Sequence, residues 1–148
     1  MHNVPLPARV IGGFALAVSA LIASNSAVFA AQPVLYSGSG LLKGTWALNF
    51  DTGQLNALGS GPGLFLQVES LSERYLVPNS PAMQLRMGST RPTYYTCSHA
   101  TLLTRRYRTS RVPVGTWFCF KTAAGRYARY RVDAKSSAGI GVTYTTWQ

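Results

Sequence analysis

Large apolar side chains alternate with small or polar ones along several short stretches of the chain, which is the pattern of half-buried β-strands. The pattern is clearest over residues 116–122, 126–132 and 140–147. Only short turn sequences separate these three segments, so they predict an antiparallel meander. Weaker alternation predicts earlier strands at 45–50, 64–68 and 82–87. The pattern therefore predicts a mainly β fold, a small antiparallel β-sandwich or barrel of roughly six to eight short strands, with at most one short helix and one disulfide.

The strand predicted at 126–132 has two different faces, because successive side chains of a strand point to opposite sides of the sheet. Its apolar face carries Ala128, Tyr130 and Val132. Its other face carries Tyr127, Arg129 and Arg131. We expect the apolar face to enter the core and the arginine face to meet solvent.

One segment has the spacing of a helix rather than of a strand. Ala100, Leu103 and Tyr107 are three and four positions apart, which would place them on one side of a helix over residues 98–108. Ser98 could cap its start, and the arginines near its end suit the negative end of the helix dipole. The spacing therefore predicts a short helix over 98–108.

The N-terminus has the layout of an export signal. An apolar run covers residues 10–23, which is too short to span a bilayer but suits a signal peptide, and small residues precede a cleavage site after Ala30. We therefore expect a signal peptide at 1–30, a flexible arm at 31–40 and a single β-domain at 41–148. The expected location is secreted, or periplasmic and envelope-associated, with no permanent membrane span.

The chain has two cysteines, Cys97 and Cys119. In an oxidising compartment such a pair most often forms a disulfide, and closing a loop of this length is worth roughly 3 kcal/mol in the chain-entropy model. The alternative is a catalytic Cys97, two positions from His99. Neighbouring residues of one segment rarely present both side chains to one substrate, so the structural disulfide is the favoured interpretation.

The charge is strongly basic. The full chain has 14 Lys and Arg against 4 Asp and Glu, and its first 30 residues hold one of these charges, Arg9. The remainder carries 13 cations against 4 anions, a net charge of +9, and ten of the cations are arginines. Arginine suits bidentate contact with carboxylate, phosphate or sulfate groups. For an exported protein these charges favour anionic envelope partners. Nucleic acid is the usual partner of a basic protein, but the export signal makes it an unlikely one here.

Most enzyme classes lack their residues in this sequence. A catalytic zinc site needs three or more ligands, and one histidine with four scattered carboxylates after residue 30 makes such a site improbable. No serine stands in a Gly-x-Ser-x-Gly elbow. Of the carboxylates, Glu69 and Glu73 are the two that could face one side. We therefore expect a noncatalytic protein with no cofactor and no metal.

Arginine and tyrosine are concentrated in two segments near the end of the chain. The candidate ligand-binding residues are Arg105, Arg106, Tyr107, Arg108, Arg111, Tyr127, Arg129 and Arg131. We hypothesise that they form one basic-aromatic surface for an anionic envelope polymer or acidic glycan, where arginines pair with charges and tyrosines stack on sugar rings. The competing interpretation is a solvated face that keeps the protein soluble.

Two further functions fit the same composition. The first is a secreted protein that binds another protein, as an inhibitor or host-facing factor, through the disulfide-linked loop 97–119. The second is a cationic, membrane-active protein. Salt separates polymer binding from a packed protein interface, because screening weakens contacts between exposed charges most.

Short motifs stand at the two ends of the predicted domain. They are Phe50-Asp51-Thr52-Gly53, Gly115, Trp117-Phe118-Cys119-Phe120-Lys121-Thr122, Gly125-Arg126 and Tyr144-Thr145-Thr146-Trp147. This series resembles a module of small secreted bacterial proteins of uncharacterised function, also found at the C-termini of larger bacterial proteins, whose upstream cysteine corresponds in placement to Cys97. The resemblance implies an envelope or extracellular setting and supplies no catalytic residues.

Overall fold

Two five-stranded antiparallel sheets make up a sandwich-like fold in the computed structural model, which describes residues 31–148. The predicted signal peptide at 1–30 lies outside the described residues. The ten strands are β1 (Val34–Lys43), β2 (Ala47–Leu48), β3 (Leu55–Asn56), β4 (Gly63–Val68), β5 (Arg74–Asn79), β6 (Met83–Gly88), β7 (Tyr107–Arg108), β8 (Trp117–Lys121), β9 (Tyr127–Ser136) and β10 (Gly139–Trp147). One α-helix, α1 (Tyr94–His99), and single 3₁₀ turns at Ala57–Gly59 and Thr109–Arg111 complete these elements.

The mainly β prediction is confirmed, and the predicted number of strands was too low. Sheet A has the order β1-β10-β9-β8-β6, and sheet B has the order β3-β2-β4-β5-β7. The meander predicted from the last three segments is present as the neighbouring strands β8, β9 and β10. The additional strands are either two residues long, as in β3 and β7, or poor in alternating apolar residues, as in β1.

The segment predicted as a flexible arm, 31–40, is largely strand, so that prediction was wrong from Val34 onward. β1 pairs with β10 along its length, from Val34 opposite Trp147 to Lys43 opposite Gly139. Gly and Ser occupy four positions of β1, so the sequence shows no apolar alternation there. Such alternation is not needed, because β1 is an edge strand that buries one side chain completely, Leu42. Gly38 also serves packing, since a Cβ there would lie 3.1 Å from the Tyr144 hydroxyl.

The helix predicted over 98–108 was also wrong. The helix present is Tyr94–His99, and it begins earlier because the Thr93 side chain accepts a hydrogen bond from the Thr96 N–H. The following chain is extended instead, since Leu103 exchanges two backbone hydrogen bonds with Gln84 at 2.7 and 3.1 Å. Tertiary hydrogen bonding to a neighbouring strand thus overrides the helical spacing of the apolar residues.

An aromatic cluster fills the space between the sheets. The ring centroids of Phe50 and Phe120 lie 4.8 Å apart, and those of Phe118 and Tyr130 lie 4.7 Å apart. The two-faced prediction for β9 is confirmed. Ala128, Tyr130 and Val132 are buried, whereas the alternate positions are half-buried or exposed.

The predicted disulfide between Cys97 and Cys119 is confirmed. It ties α1 to β8 on the outer side of sheet A, and both cysteines are fully buried beside Trp147. The bond leaves no free thiol at Cys97 for the catalytic alternative. Within residues 31–148, no helix has the length and apolar character needed to cross a bilayer.

Candidate anion-binding cleft

Five arginines line a cleft of about 460 Å³ where the edge of sheet A meets sheet B. They are Arg86, Arg105, Arg106, Arg108 and Arg111, and together they are called the arginine cleft below. Tyr75 and Tyr107 complete its polar lining. The cleft is formed by β6 on one side, by β5 and β7 on the other, and by the chain flanking β7.

The backbone of the cleft is fixed by its contacts with both sheets. Buried Gln84 donates hydrogen bonds through Nε2 to the carbonyls of Leu76, at 3.0 Å, and Arg105, at 2.9 Å. The Tyr130 hydroxyl donates to Gln84 Oε1 at 2.7 Å, which fixes the orientation of that amide. Burial raises the pKa of Tyr130 well above its usual value, so the hydroxyl remains a donor at neutral pH. The core therefore determines where Arg105 enters the cleft.

The other end of the arginine segment is held by charged donors. Lys135 Nζ donates to the carbonyls of Thr109, at 3.2 Å, and Val112, at 2.8 Å. Arg86 donates through Nη1 to the Arg111 carbonyl at 3.0 Å. These bonds hold Arg111 at the cleft although it stands in an exposed 3₁₀ turn.

Two carboxylates from the turn between β4 and β5 contact the cleft. Glu69 lies 2.6 Å from Arg106 Nη1, and Glu73 lies 3.1 Å from Arg108 Nη2. The hydrogen bond to Glu69 raises the pKa of Arg106. Both carboxylates that the sequence placed on one side thus face arginine. Among residues 31–148 no carboxylate is within ion-pair distance of the other three arginines, so the cleft has an excess of three positive charges.

The tyrosine rings of the cleft contact arginines. The Arg106 guanidinium lies 4.1 Å from the centroid of Tyr75, and that of Arg105 lies 5.6 Å from the centroid of Tyr107. Tyr107 also packs edge-on against Phe118 in the core. Both rings are thus within cation–π distance of guanidinium groups of the cleft.

The structure divides the predicted basic-aromatic surface into two. Arg105, Arg106, Tyr107, Arg108 and Arg111 come together in the cleft. Tyr127, Arg129 and Arg131 lie on the outer face of sheet A, opposite the buried side chains of the same strand.

Arg86 and Tyr75 are cleft residues that sequence reasoning missed. Arg86 follows Gln84 by two positions on β6 and so points to the same side of the sheet, but only the structure shows that Gln84 faces the cleft. Tyr75 enters through the pairing of β5 with β7, which places it opposite Arg108.

The outer face of sheet A carries a stack of arginines and tryptophans, called the Arg–Trp ladder below. Its members are Arg91, Trp117, Arg129, Arg131 and Trp147. The Arg129 guanidinium lies 5.0 Å from the Trp147 centroid and 5.8 Å from that of Trp117, and it donates to the Pro92 carbonyl at 2.7 Å. Burial, followed by the charge of Arg91, lowers the pKa of Arg129.

Three residues of the short motifs noted in the sequence, Asp51, Thr122 and Arg126, meet at a separate point. Asp51 Oδ1 accepts hydrogen bonds from Thr122 Oγ1, at 2.9 Å, and Arg126 Nη1, at 3.2 Å. This contact joins the turn after Phe50 to the connection between β8 and β9. Its geometry gives these residues a structural role.

Comparison of the chain with models of known protein families, with curated proteins and with solved structures finds no match. The fold and the site define the class of the described part: a disulfide-linked domain of two antiparallel sheets, with an arginine-lined cleft where the sheets meet at one edge.

Proposed function

We propose that the protein is an exported, noncatalytic β-domain that binds an anionic polymer of the cell envelope, or an acidic glycan, through the arginine cleft. The observation that carries this proposal is the convergence of five arginines on one cleft with only two carboxylates. Guanidinium groups recognise oxyanions through paired N–H donors, and several around one cavity favour a multiply charged ligand over a single ion.

Preorganisation supports binding over simple solubility. A solvated face needs no fixed backbone, whereas here the carbonyls of Arg105, Thr109, Arg111 and Val112 are each held by a side-chain donor. Two of the guanidinium groups also rest on tyrosine rings. Groups that are already ordered lose less conformational entropy when a ligand arrives, so the cleft is suited to binding.

Co-sedimentation of residues 31–148 with cell-envelope fractions tests the proposal. We expect binding in about 50 mM NaCl and a large loss in about 300 mM NaCl, because the Debye length falls from roughly 14 to roughly 6 Å. The double variant Arg105→Gln/Arg111→Gln should lose binding even at low salt.

The matched control is Lys43→Gln/Lys121→Gln, which removes two positive charges outside the cleft. We expect it to retain most of the binding. Binding that resists salt, or that falls equally in both double variants, contradicts a polymer site in the cleft and points to a protein partner or to general charge attraction.

A further inference from the structure

The turn between β4 and β5 presents its two carboxylates to the cleft in a fixed arrangement. Glu69 and Glu73 pair across the turn, where the Glu69 N–H donates to the Glu73 carbonyl at 2.8 Å. Gln67 donates to Glu69 Oε1 at 3.1 Å, and the Tyr75 hydroxyl donates to Glu73 Oε1 at 3.3 Å. The two acidic groups are therefore part of the cleft's architecture, held by donors on the adjoining strands.

These carboxylates occupy arginine donors that an incoming anion would use. Glu69 contacts Arg106 and Glu73 contacts Arg108, each through one oxygen. Because they belong to the same chain, their effective concentration at the cleft is on the order of millimolar or higher. A ligand carboxylate offers the same two oxygens and the same single charge, so replacing either glutamate yields no new type of contact.

A tetrahedral oxyanion differs in shape and in the number of acceptors. A phosphate monoester or a sulfate ester presents three terminal oxygens, and the phosphate carries a charge of roughly −1.5 to −2 at neutral pH. Three arginines of the cleft, Arg86, Arg105 and Arg111, have no carboxylate partner among residues 31–148, and a tetrahedral group offers them more acceptor oxygens than a carboxylate does.

We propose that Glu69 and Glu73 are built-in competitors that make the arginine cleft selective for phosphate or sulfate esters over carboxylates. This inference rests on the proposed function and specifies its ligand. The two glutamates lower the affinity for every anion, and they lower it most for groups that resemble themselves.

The test uses one polymer backbone with three different acidic groups. Dextran sulfate, phosphorylated dextran and carboxymethyl dextran of equal length and equal substitution are titrated against residues 31–148 at low salt. We expect the wild-type domain to bind one or both of the tetrahedral polymers about tenfold or more tightly than carboxymethyl dextran. The polymer that binds more tightly, dextran sulfate or phosphorylated dextran, identifies which ester the cleft prefers.

Three single variants then separate competition from net charge. Glu69→Gln and Glu73→Gln should each raise the affinity for carboxymethyl dextran about twofold to fivefold, and raise it less for the tetrahedral polymers. Asp133→Asn is the matched control, because it removes the same charge at Arg131, outside the cleft. It should change all three affinities by a similar, smaller factor.

Two results overturn the inference: equal wild-type affinity for the three polymers, or glutamate variants that behave like Asp133→Asn. Failure of the proposed function looks different. In that case Arg105→Gln/Arg111→Gln binds every polymer as tightly as the wild-type domain does. Melting temperatures measured for each variant establish that the proteins compared are folded.

Discussion

The arginine cleft and the Arg–Trp ladder are built from the same residue type on opposite sides of sheet A. In the ladder, Arg129 is half-buried between two tryptophans and bonded to the Pro92 carbonyl. In the cleft, Arg105 and Arg111 are exposed and have no carboxylate partner within the described residues. Arg129 thus uses its face and one of its donors on the protein itself, whereas Arg105 and Arg111 expose positive charge that no carboxylate of the described residues neutralises.

The difference originates in the backbone that carries the arginines. Trp117 and Arg131 are direct partners of the β8–β9 pairing, so the ladder follows from regular cross-strand neighbours. Four of the five cleft arginines stand on the two-residue strand β7, on a 3₁₀ turn and on chain without regular structure, and only Arg86 stands on a longer strand, β6. The regular region stabilises the fold, and the irregular region presents charge, because loops lie where ligands can reach them.

The largest expected effect is on the ladder side, where the disulfide lies. Cys97→Ser/Cys119→Ser should lower the free energy of unfolding by about 3 kcal/mol, because the unfolded chain regains the freedom of the closed loop. Denaturant titration measures the loss. Below the melting temperature of the variant, polymer binding by the cleft should persist. Loss of binding in the folded variant would show that the two regions are coupled.

The next effect concerns the hydrogen bonds of Gln84, which join core and cleft. Gln84→Leu leaves the carbonyls of Leu76 and Arg105 and the Tyr130 hydroxyl without their partner. We expect a loss of about 2 kcal/mol in unfolding free energy and weaker polymer binding, since Arg105 is no longer positioned. Tyr130→Phe removes only the bond that orients the amide and leaves Gln84 to donate to both carbonyls, so we expect it to weaken binding less than Gln84→Leu does. Unchanged binding in Gln84→Leu contradicts the positioning role.

Arg129→Met separates the two regions most directly. Methionine retains an apolar stem between the tryptophans but loses the charge and the bond to Pro92, so we expect a loss of about 1 kcal/mol. Thermal unfolding reports this change. Polymer binding should remain at the wild-type level, and a clear drop in affinity would place the ladder within the binding site.

The buried hydroxyl of Tyr130 makes stability sensitive to alkaline pH. Its pKa in the folded protein is raised, whereas an unfolded tyrosine ionises near its ordinary value of about 10. Below that pH the stabilisation is fully present, and as pH rises above it the unfolded state releases the proton first and stability falls, by up to about 1.4 kcal/mol per pH unit. Unfolding measured from pH ~9 to ~11 should show a smaller loss in Tyr130→Phe. Equal slopes would exclude this cause.

The smallest stability effect and the clearest binding effect belong to the cleft. Arg105→Gln/Arg111→Gln should change the unfolding free energy by less than about 0.5 kcal/mol, because both side chains are exposed. The same variant should lose polymer binding. Destabilisation comparable to that of Arg129→Met would mean that these arginines are structural as well.

The sequence predicted the parts of the fold that rest on regular burial. Alternation of apolar residues predicted the strands β8, β9 and β10. The presence of two cysteines predicted the pairing of Cys97 with Cys119. The helix over 98–108 was predicted wrongly, because its apolar spacing is also met by an extended segment bonded to Gln84. No local pattern reports such a partner, which lies in another strand.

The candidate site was predicted in part for a similar reason. Four arginines close in sequence, at 105, 106, 108 and 111, also lie together in space. Arg129 and Arg131 were predicted to join the same surface, but sheet A lies between them and the cleft. Whether two basic segments meet depends on which side of a sheet each one faces. For the segment after Ala100, this side could not be predicted while the segment was taken as a helix.

The pairing of β1 with β10 has a consequence for how the domain is made. The first and last strands of sheet A are neighbours, and the Gln148 N–H donates to the Pro33 carbonyl at 2.9 Å. During synthesis, β1 emerges from the ribosome more than a hundred residues before its partner does. Contacts of such long sequence separation form slowly, so β1 remains an unpaired strand until translation reaches Trp147. β1 therefore joins sheet A only after β10 has been made, and a ribosome that stalls before β10 leaves a chain that cannot complete this sheet.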